Sequence, residues 1–279
     1  MNRTPAAIIA LFAVVSTSPA LGSSFLFSQT ISPGSSSNVT NAQVTAEFSE
    51  VVAGEFTLTL SFLAATIGSN FDNGGVLTGF TWDAASSPSI SATSAVVASG
   101  SQLVNTSGST VTPVSPQPSD VNGFWAYRDD LSGSVGAYGV GTAGGGGTPG
   151  VGFGSSDLID SGASGAQVDG VDYGVVPDLP SGEVFSNGLK DPVVQTSIVL
   201  TFTVGTGSSF NPLTDISNAH FLFGSNLVAH SAGSGTSMDN NVVPEPSSLA
   251  LLTIGLVGAA GGAARRRRRA VSQNPDDEI

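Results

Sequence analysis

Glu55-Phe56-Thr57-Leu58-Thr59-Leu60-Ser61-Phe62-Leu63-Ala64 sets the fold class of this chain. Phe56, Leu58, Leu60 and Phe62 alternate with Thr57, Thr59 and Ser61, the period of a strand that buries one face and shows the other to water. A helix would scatter those four apolar side chains around its circumference. The alternation returns in residues 196–204, where Ile198, Leu200, Phe202 and Val204 share a side. Residues 24–31, with Phe25 and Phe27 on one parity, read as the first strand, and residues 216–224 supply Ala219, Phe221 and Phe223 as a late core strand. Residues 89–98 and 101–104 give two more short strands parted by Gly100. Phe71-Asp72-Asn73-Gly74-Gly75 reads as a reversal, so residues 76–82 are expected to return on the 55–64 strand as a hairpin. Turns or loops are expected at Pro33 to Ser37 and Pro113 to Ser119, and an aromatic strand at residues 123–128 with Phe124, Trp125 and Tyr127. Residues 133–154 are so rich in glycine that a long surface loop is expected, regular only at its aromatic ends. Many short strands, turn signals between them, no amphipathic helix before Leu249 and no fixed repeat predict an all-β sandwich or jelly roll.

Targeting patterns bracket this domain. Arg3 precedes a ten-residue apolar core from Ala6 to Val15, and Ala20-Leu21-Gly22 offers the small residues that a signal peptidase reads. Residues 1–22 are therefore expected to be a secretory signal, cut between Gly22 and Ser23. Residues 23–230 form the exported domain in this division, and residues 231–242, mostly Gly, Ser and Asn, a flexible linker. From Ser23 to Val242 seventeen acidic side chains face two basic ones, Arg128 and Lys190, a net charge of −15. Such a surface repels phosphate backbones, which argues against nucleic acid as a partner. The chain has no cysteine, so neither disulfides nor thiolate chemistry contributes.

At the other end, Val243-Pro244-Glu245-Pro246 precedes an uncharged apolar run, residues 249–264, which stops against Arg265, Arg266, Arg267, Arg268 and Arg269. At about 1.5 Å per residue the run makes a helix of about 25 Å, at the short end of a bilayer span. Each arginine would cost about 3 kcal/mol at the bilayer centre, so the cluster stays on the cytoplasmic side and the domain lies outside. Residues 270–279 follow as an acidic cytoplasmic tail ending in Asp276, Asp277 and Glu278.

This order of motif, short apolar helix and arginine cluster resembles the PEP-CTERM sorting signal of Gram-negative bacteria, whose C-terminal segment is also known as an ice-binding protein C-terminal domain. That second label describes a tail and not an ice-binding surface. The resemblance implies an exosortase as partner, processing at Pro244, Glu245 and Pro246, and a precursor held in the inner membrane by the helix and its arginines. The domain also resembles exosortase-dependent surface proteins in Leu77-Thr78-Gly79-Phe80-Thr81-Trp82, residues 94–104, Gly123-Phe124-Trp125-Ala126-Tyr127-Arg128-Asp129-Asp130, Tyr138-Gly139-Val140, residues 169–174 and Phe221-Leu222-Phe223-Gly224. That group implies display at the cell surface or in an extracellular polysaccharide matrix, as in biofilm, without a known catalytic activity.

Several residues carry chemistry that must be weighed beside this. Gly139-Val140-Gly141-Thr142-Ala143-Gly144 has the spacing of a dinucleotide loop. The glycines and Pro149 that follow cannot form the helix whose N-terminus would hold a pyrophosphate, so nucleotide binding is not expected. His220 and His230 are the two histidines, with no Gly-x-Ser-x-Gly and no metal-ligand spacing beside them. Asp129 and Asp130 are adjacent, so in a strand they point to opposite faces and do not form a glycosidase pair. Asp157, Asp160, Asp169 and Asp172, with Asp178 nearby, place hard oxygen ligands in Gly/Ser-rich loops, and calcium is the cofactor such oxygens would take. Three functions stand open: a non-enzymatic surface or matrix protein, a carbohydrate-binding module in which Trp82, Trp125 and Tyr127 stack on sugar rings, and a secreted hydrolase acting through acids.

Overall fold

The computed structural model describes residues 24–238 apart from 34–36, 108–109, 133, 143–150, 164, 169, 180–191 and 209. These residues form strands and two short 3-10 turns, with no α-helix among them. In chain order the strands are β1 (Ser24–Ile31), β2 (Val39–Val52), β3 (Glu55–Ile67), β4 (Leu77–Ala84), β5 (Ile90–Val97), β6 (Gln102–Ser107), β7 (Thr110–Pro113) and β8 (Ala126–Arg128). They continue with β9 (Tyr138–Gly141), β10 (Val175–Val176), β11 (Val193–Gln195), β12 (Ser197–Val204), β13 (Ile216–Phe223), β14 (Val228–Ser231) and β15 (Thr236–Met238). One sheet has six antiparallel strands in the order β15-β1-β2-β3-β12-β5. The other has nine, along β14-β13-β4-β10-β11-β6-β7, with β9 paired to β4 and β8 to β9. Two sheets sharing one core are consistent with a β-sandwich.

The alternation in the sequence dictates what fills that core. Phe56, Leu58, Leu60 and Phe62 of β3 are buried, and Ile198, Leu200 and Phe202 of β12 lie opposite three of them in register. Phe56 and Phe202 stack with ring centroids 4.9 Å apart. Phe48 of the six-stranded sheet meets Phe80 at 6.0 Å and Trp82 at 5.5 Å, both from β4 of the other sheet. Burying a side chain of this size contributes about 2 to 3 kcal/mol relative to leaving it in water, so the aromatic seam is the main attraction between the layers.

Four sequence expectations are corrected. The reversal at residues 71–75 is not a hairpin, because β4 lies in the nine-stranded sheet and pairs with β13, β10 and β9. All six residues from Leu77 to Trp82 are buried, so this strand needs cover on both faces, and the turn carries it across to the opposite layer. The Asp72 carboxylate holds the crossing: Oδ1 accepts from Ser37 Oγ at 2.9 Å and Gly75 N at 3.1 Å, and Oδ2 from Asn38 N at 2.7 Å. A Cβ on Gly75 would stand 2.2 Å from Val39 Cγ2, so only glycine lets the turn lie this close to β2. Second, only the latter half of residues 123–128, Ala126–Arg128, is strand, and Gly123 and Phe124 lie in a turn. Third, the glycine-rich stretch is not all loop, since β9 lies fully buried beside β4. Fourth, residues 231–238 of the expected linker belong to the fold: Ser231 ends β14, Ala232 is buried, and β15 pairs with β1. The 14-residue β2, with Val39, Ala42, Val44, Ala46 and Phe48 inward, was not anticipated, because its small alanines mute the alternation.

The outer faces of the sheets differ. A second apolar cluster, including Leu131, Val135, Val151, Phe153 and Leu158, lies on the nine-stranded sheet. It comes close because β9 has glycines: a Cβ on Gly141 would stand 2.5 Å from the Phe153 ring, and one on Gly139 2.6 Å from Leu131 Cδ1. Across the outside of the six-stranded sheet run registered rows of hydroxyls, Ser28-Thr45-Ser61-Ser197 and Ser49-Thr57-Thr201-Ser94, around Glu47, Thr59 and Val199.

Candidate functional site

Arg128, the one Lys or Arg among the described residues, sits at the end of β8. Its Nε donates to Asp130 Oδ1 at 2.8 Å, Nη2 lies 2.8 Å from the same oxygen, and Nη1 donates to the Gly152 carbonyl at 2.7 Å. Asp157 Oδ2 stands 3.9 Å from Nε. The hydrogen bond to Asp130 raises the guanidinium above its ordinary range, and the guanidinium holds the Asp130 carboxyl below the usual carboxylate range. Together with Phe153, Gly154 and Ser156 these groups line an open cleft. Its donors are aimed at protein acceptors, the arrangement of a clamp that fastens the loop after Val151 to the sheet.

Among the described residues, the acids expected for calcium are not grouped as ligands of one ion. Asp157 accepts from Gly154 N at 2.6 Å and Ser156 Oγ at 3.2 Å, and Asp160 from Gly162 N at 2.9 Å. Asp172 adjoins Tyr173, whose hydroxyl is pushed up by burial and then by that carboxylate, and Asp178 accepts from Gln195 Nε2 at 2.8 Å. Asp169 lies outside the described residues. Among the described residues, no three His, Asp or Glu side chains are grouped as ligands of one ion. The histidines lie on the paired strands β13 and β14, His220 opposite Ser231 and His230 opposite Phe221, so they face opposite sides of the sheet, and each meets a backbone carbonyl: His220 Nδ1 is 3.1 Å from Asn218 O, and His230 Nε2 is 2.9 Å from Pro33 O.

The sugar-stacking platform of Trp82, Trp125 and Tyr127 is overturned. Both tryptophans are 0% exposed. Trp82 packs among Phe48, Phe80 and Tyr138, and Trp125 donates its Nε1 hydrogen to the Tyr173 carbonyl at 3.2 Å. The Tyr127 hydroxyl is withdrawn from solvent, and burial, then the nearby Asp129 charge, pushes its pKa far up. The physical reason is size: in a chain with two tryptophans, the largest apolar surfaces go to the seam between layers. The dinucleotide-like spacing is likewise structural, since Gly139 and Gly141 belong to β9 and are needed for close packing.

Sequence reasoning missed two carboxylates that organise loops, Asp72 and Asp83. Asp83 Oδ1 accepts from Ala137 N at 2.8 Å and Oδ2 from Asn218 Nδ2 at 2.9 Å. An Asp before Asn-Gly-Gly is a legible turn signal for the first. Nothing in the sequence marks the second.

Comparison with known proteins adds what the domain's geometry does not. Residues 242–269 match the family model of the PEP-CTERM protein-sorting motif. The chain carries a PEP-CTERM sorting signal. The match takes in Val243, Pro244, Glu245 and Pro246 and runs through Arg265, Arg266, Arg267, Arg268 and Arg269. The PEP-CTERM motif implies an exosortase as sorting partner and an exported precursor anchored in a membrane on its way to the surface. No curated protein and no solved structure matches the chain. The motif, the apolar run 249–264, the tail 270–279, and Gly22 and Ser23 at the expected signal cleavage all lie outside the described residues. No helix among the described residues is long and apolar enough to cross a membrane.

Proposed function

We propose that this chain is a non-enzymatic, exported β-sandwich protein, delivered by a Sec-type signal, parked in the inner membrane by residues 249–264 and processed by exosortase at Pro244, Glu245 and Pro246. Its mature form works at the cell surface or in the extracellular matrix, associated with exopolysaccharide and biofilm. The observation that carries the sorting half is the PEP-CTERM match over residues 242–269, directly after an all-β domain. The display half is supported by charge and by how the polar groups are used. A net charge of −15 between Ser23 and Val242 favours solubility and disfavours anionic partners. Asp72, Asp83, Asp157 and Asp160 accept hydrogen bonds from backbone N–H groups, a structural use of carboxylates.

Mass analysis of the mature C-terminus from the native cell tests this. The expected result is a chain that ends within or next to residues 243–246 and lacks Arg265 to Arg269. Recovery of full-length protein still carrying the arginines, at steady state in the envelope, would refute processing and leave a simple membrane anchor.

A further inference from the structure

The last strand before the sorting signal sits at the edge of the six-stranded sheet. β15 spans three residues, Thr236–Met238, all exposed, and pairs with β1 at Ser24, Phe25 and Leu26. The chain is firmly anchored just upstream. Ala232 is 0% exposed, its N donates to Ala219 O at 2.7 Å, and its carbonyl accepts from Gln29 Nε2 at 3.0 Å. Between anchor and strand come Gly233, with φ of +71°, and Gly235, where a Cβ would stand 2.1 Å from the Phe25 ring. Glycine at these places gives the connection freedom to rotate once the pairing opens.

Reach is the consequence. From Met238 to Pro244 there are six residues, a contour of about 20 Å at most. Released from β1 back to Ala232, the free stretch doubles to twelve residues, about 40 Å. A membrane protease must take an extended segment into its active site while a folded body stands beside it. A three-residue edge pairing with exposed side chains belongs to the low-stability end of local opening.

We propose that β15 is a detachable strap: paired to β1 it limits the chain between the domain and Pro244 to six residues, and exosortase processing requires it to peel away up to Ala232. This rests on the sorting function proposed above.

The test uses the full chain in its native cell, with the double substitution Leu26→Cys and Thr236→Cys. These are Cα partners in an antiparallel ladder, about 4.5 to 5.5 Å apart, within disulfide range, and the chain has no other cysteine to compete. A second staple, Ser24→Cys with Met238→Cys, guards against a local folding defect of the first. The stapled chains are expected to accumulate unprocessed, at least several-fold over the single-cysteine chains. Insertion of about six Gly/Ser residues after Met238 is expected to restore processing with the staple intact, since it restores the reach. Equal processing of stapled and single-cysteine chains overturns the strap and leaves the sorting function standing. Failure of the insertion to rescue also overturns it. Absence of processing in the unstapled chain overturns the sorting function itself, and the strap with it.

Discussion

The two sheets are built from similar strands yet meet their surroundings differently. β4, in the middle of the nine-stranded sheet, is buried from Leu77 to Trp82 because one face packs on the aromatic seam and the other lies under Leu131, Phe153 and their neighbours. Thr78 and Thr81 are fully buried there, and Thr78 Oγ1 donates to the Gly224 carbonyl at 3.0 Å. β3, in the middle of the six-stranded sheet, alternates, with Thr57 and Thr59 half-exposed between buried neighbours. The difference teaches that a clean period of two marks a strand with one wet face. A strand under a second layer loses the period, and glycine in its neighbour becomes the sign of that layer.

Replacing Trp82 by Ala, at the seam both sheets share, should have the largest effect, a loss of about 3 to 5 kcal/mol read as a lower urea midpoint. Gly141→Val tests the cover. Its Cβ would stand 2.5 Å from the Phe153 ring, so a loss of about 1 to 3 kcal/mol is expected, against almost none for Thr59→Val on the bare face. Equal losses at the two sites would abolish the distinction between covered and bare faces. Asp72→Ala removes a carboxylate that accepts three hydrogen bonds at the crossing between sheets, and about 2 kcal/mol should go with it, by the same titration.

Alkali provides a gentler probe. Tyr127, Tyr138 and Tyr173 are all raised, each by burial first and then by a nearby carboxylate, Asp129 for Tyr127 and Tyr138 and Asp172 for Tyr173. A group raised in the folded state contributes stability in full below its unfolded value, near 10, and that contribution is lost as pH climbs beyond it. Thermal unfolding should therefore fall above about pH 10, with tyrosinate absorbance rising together with unfolding rather than before it. Tyrosinate forming while the fold stays intact would show these hydroxyls to be open to solvent. The smallest effect is expected at the surface clamp. Asp130 is lowered by Arg128, so its contribution is present above the ordinary carboxylate range and fades as acid protonates it. Asp130→Asn should leave the melting temperature at neutral pH almost unchanged.

Legibility followed the same division. β1, β3 and β12 are readable because large apolar residues alternate with Ser and Thr on strands with one wet face, while β13, buried on both faces at Phe221, Leu222 and Phe223, is readable from its aromatic density. β2 hides because Ala42 and Ala46 fill inward places with little hydrophobic contrast. β9 hides because glycine, chosen for close packing against Phe153 and Leu131, looks locally like loop. The partner of β4 is not legible because Asn73-Gly74 suits a hairpin as well as a 3-10 turn, and only the burial of the following strand on both faces decides between them. Of the site residues, Val243 to Pro246 and Arg265 to Arg269 were legible because a targeting signal is read as linear sequence. The placement of Trp82 and Trp125 was not, because exposure is a tertiary property.

Ser24 and Met238 are opposite one another in the β1–β15 ladder. The body between them is thus a closed loop of chain on a narrow stem. Force applied through both ends would open the stem pair by pair, like a zip, rather than shear whole strands along their length, and so would meet its weakest resistance first.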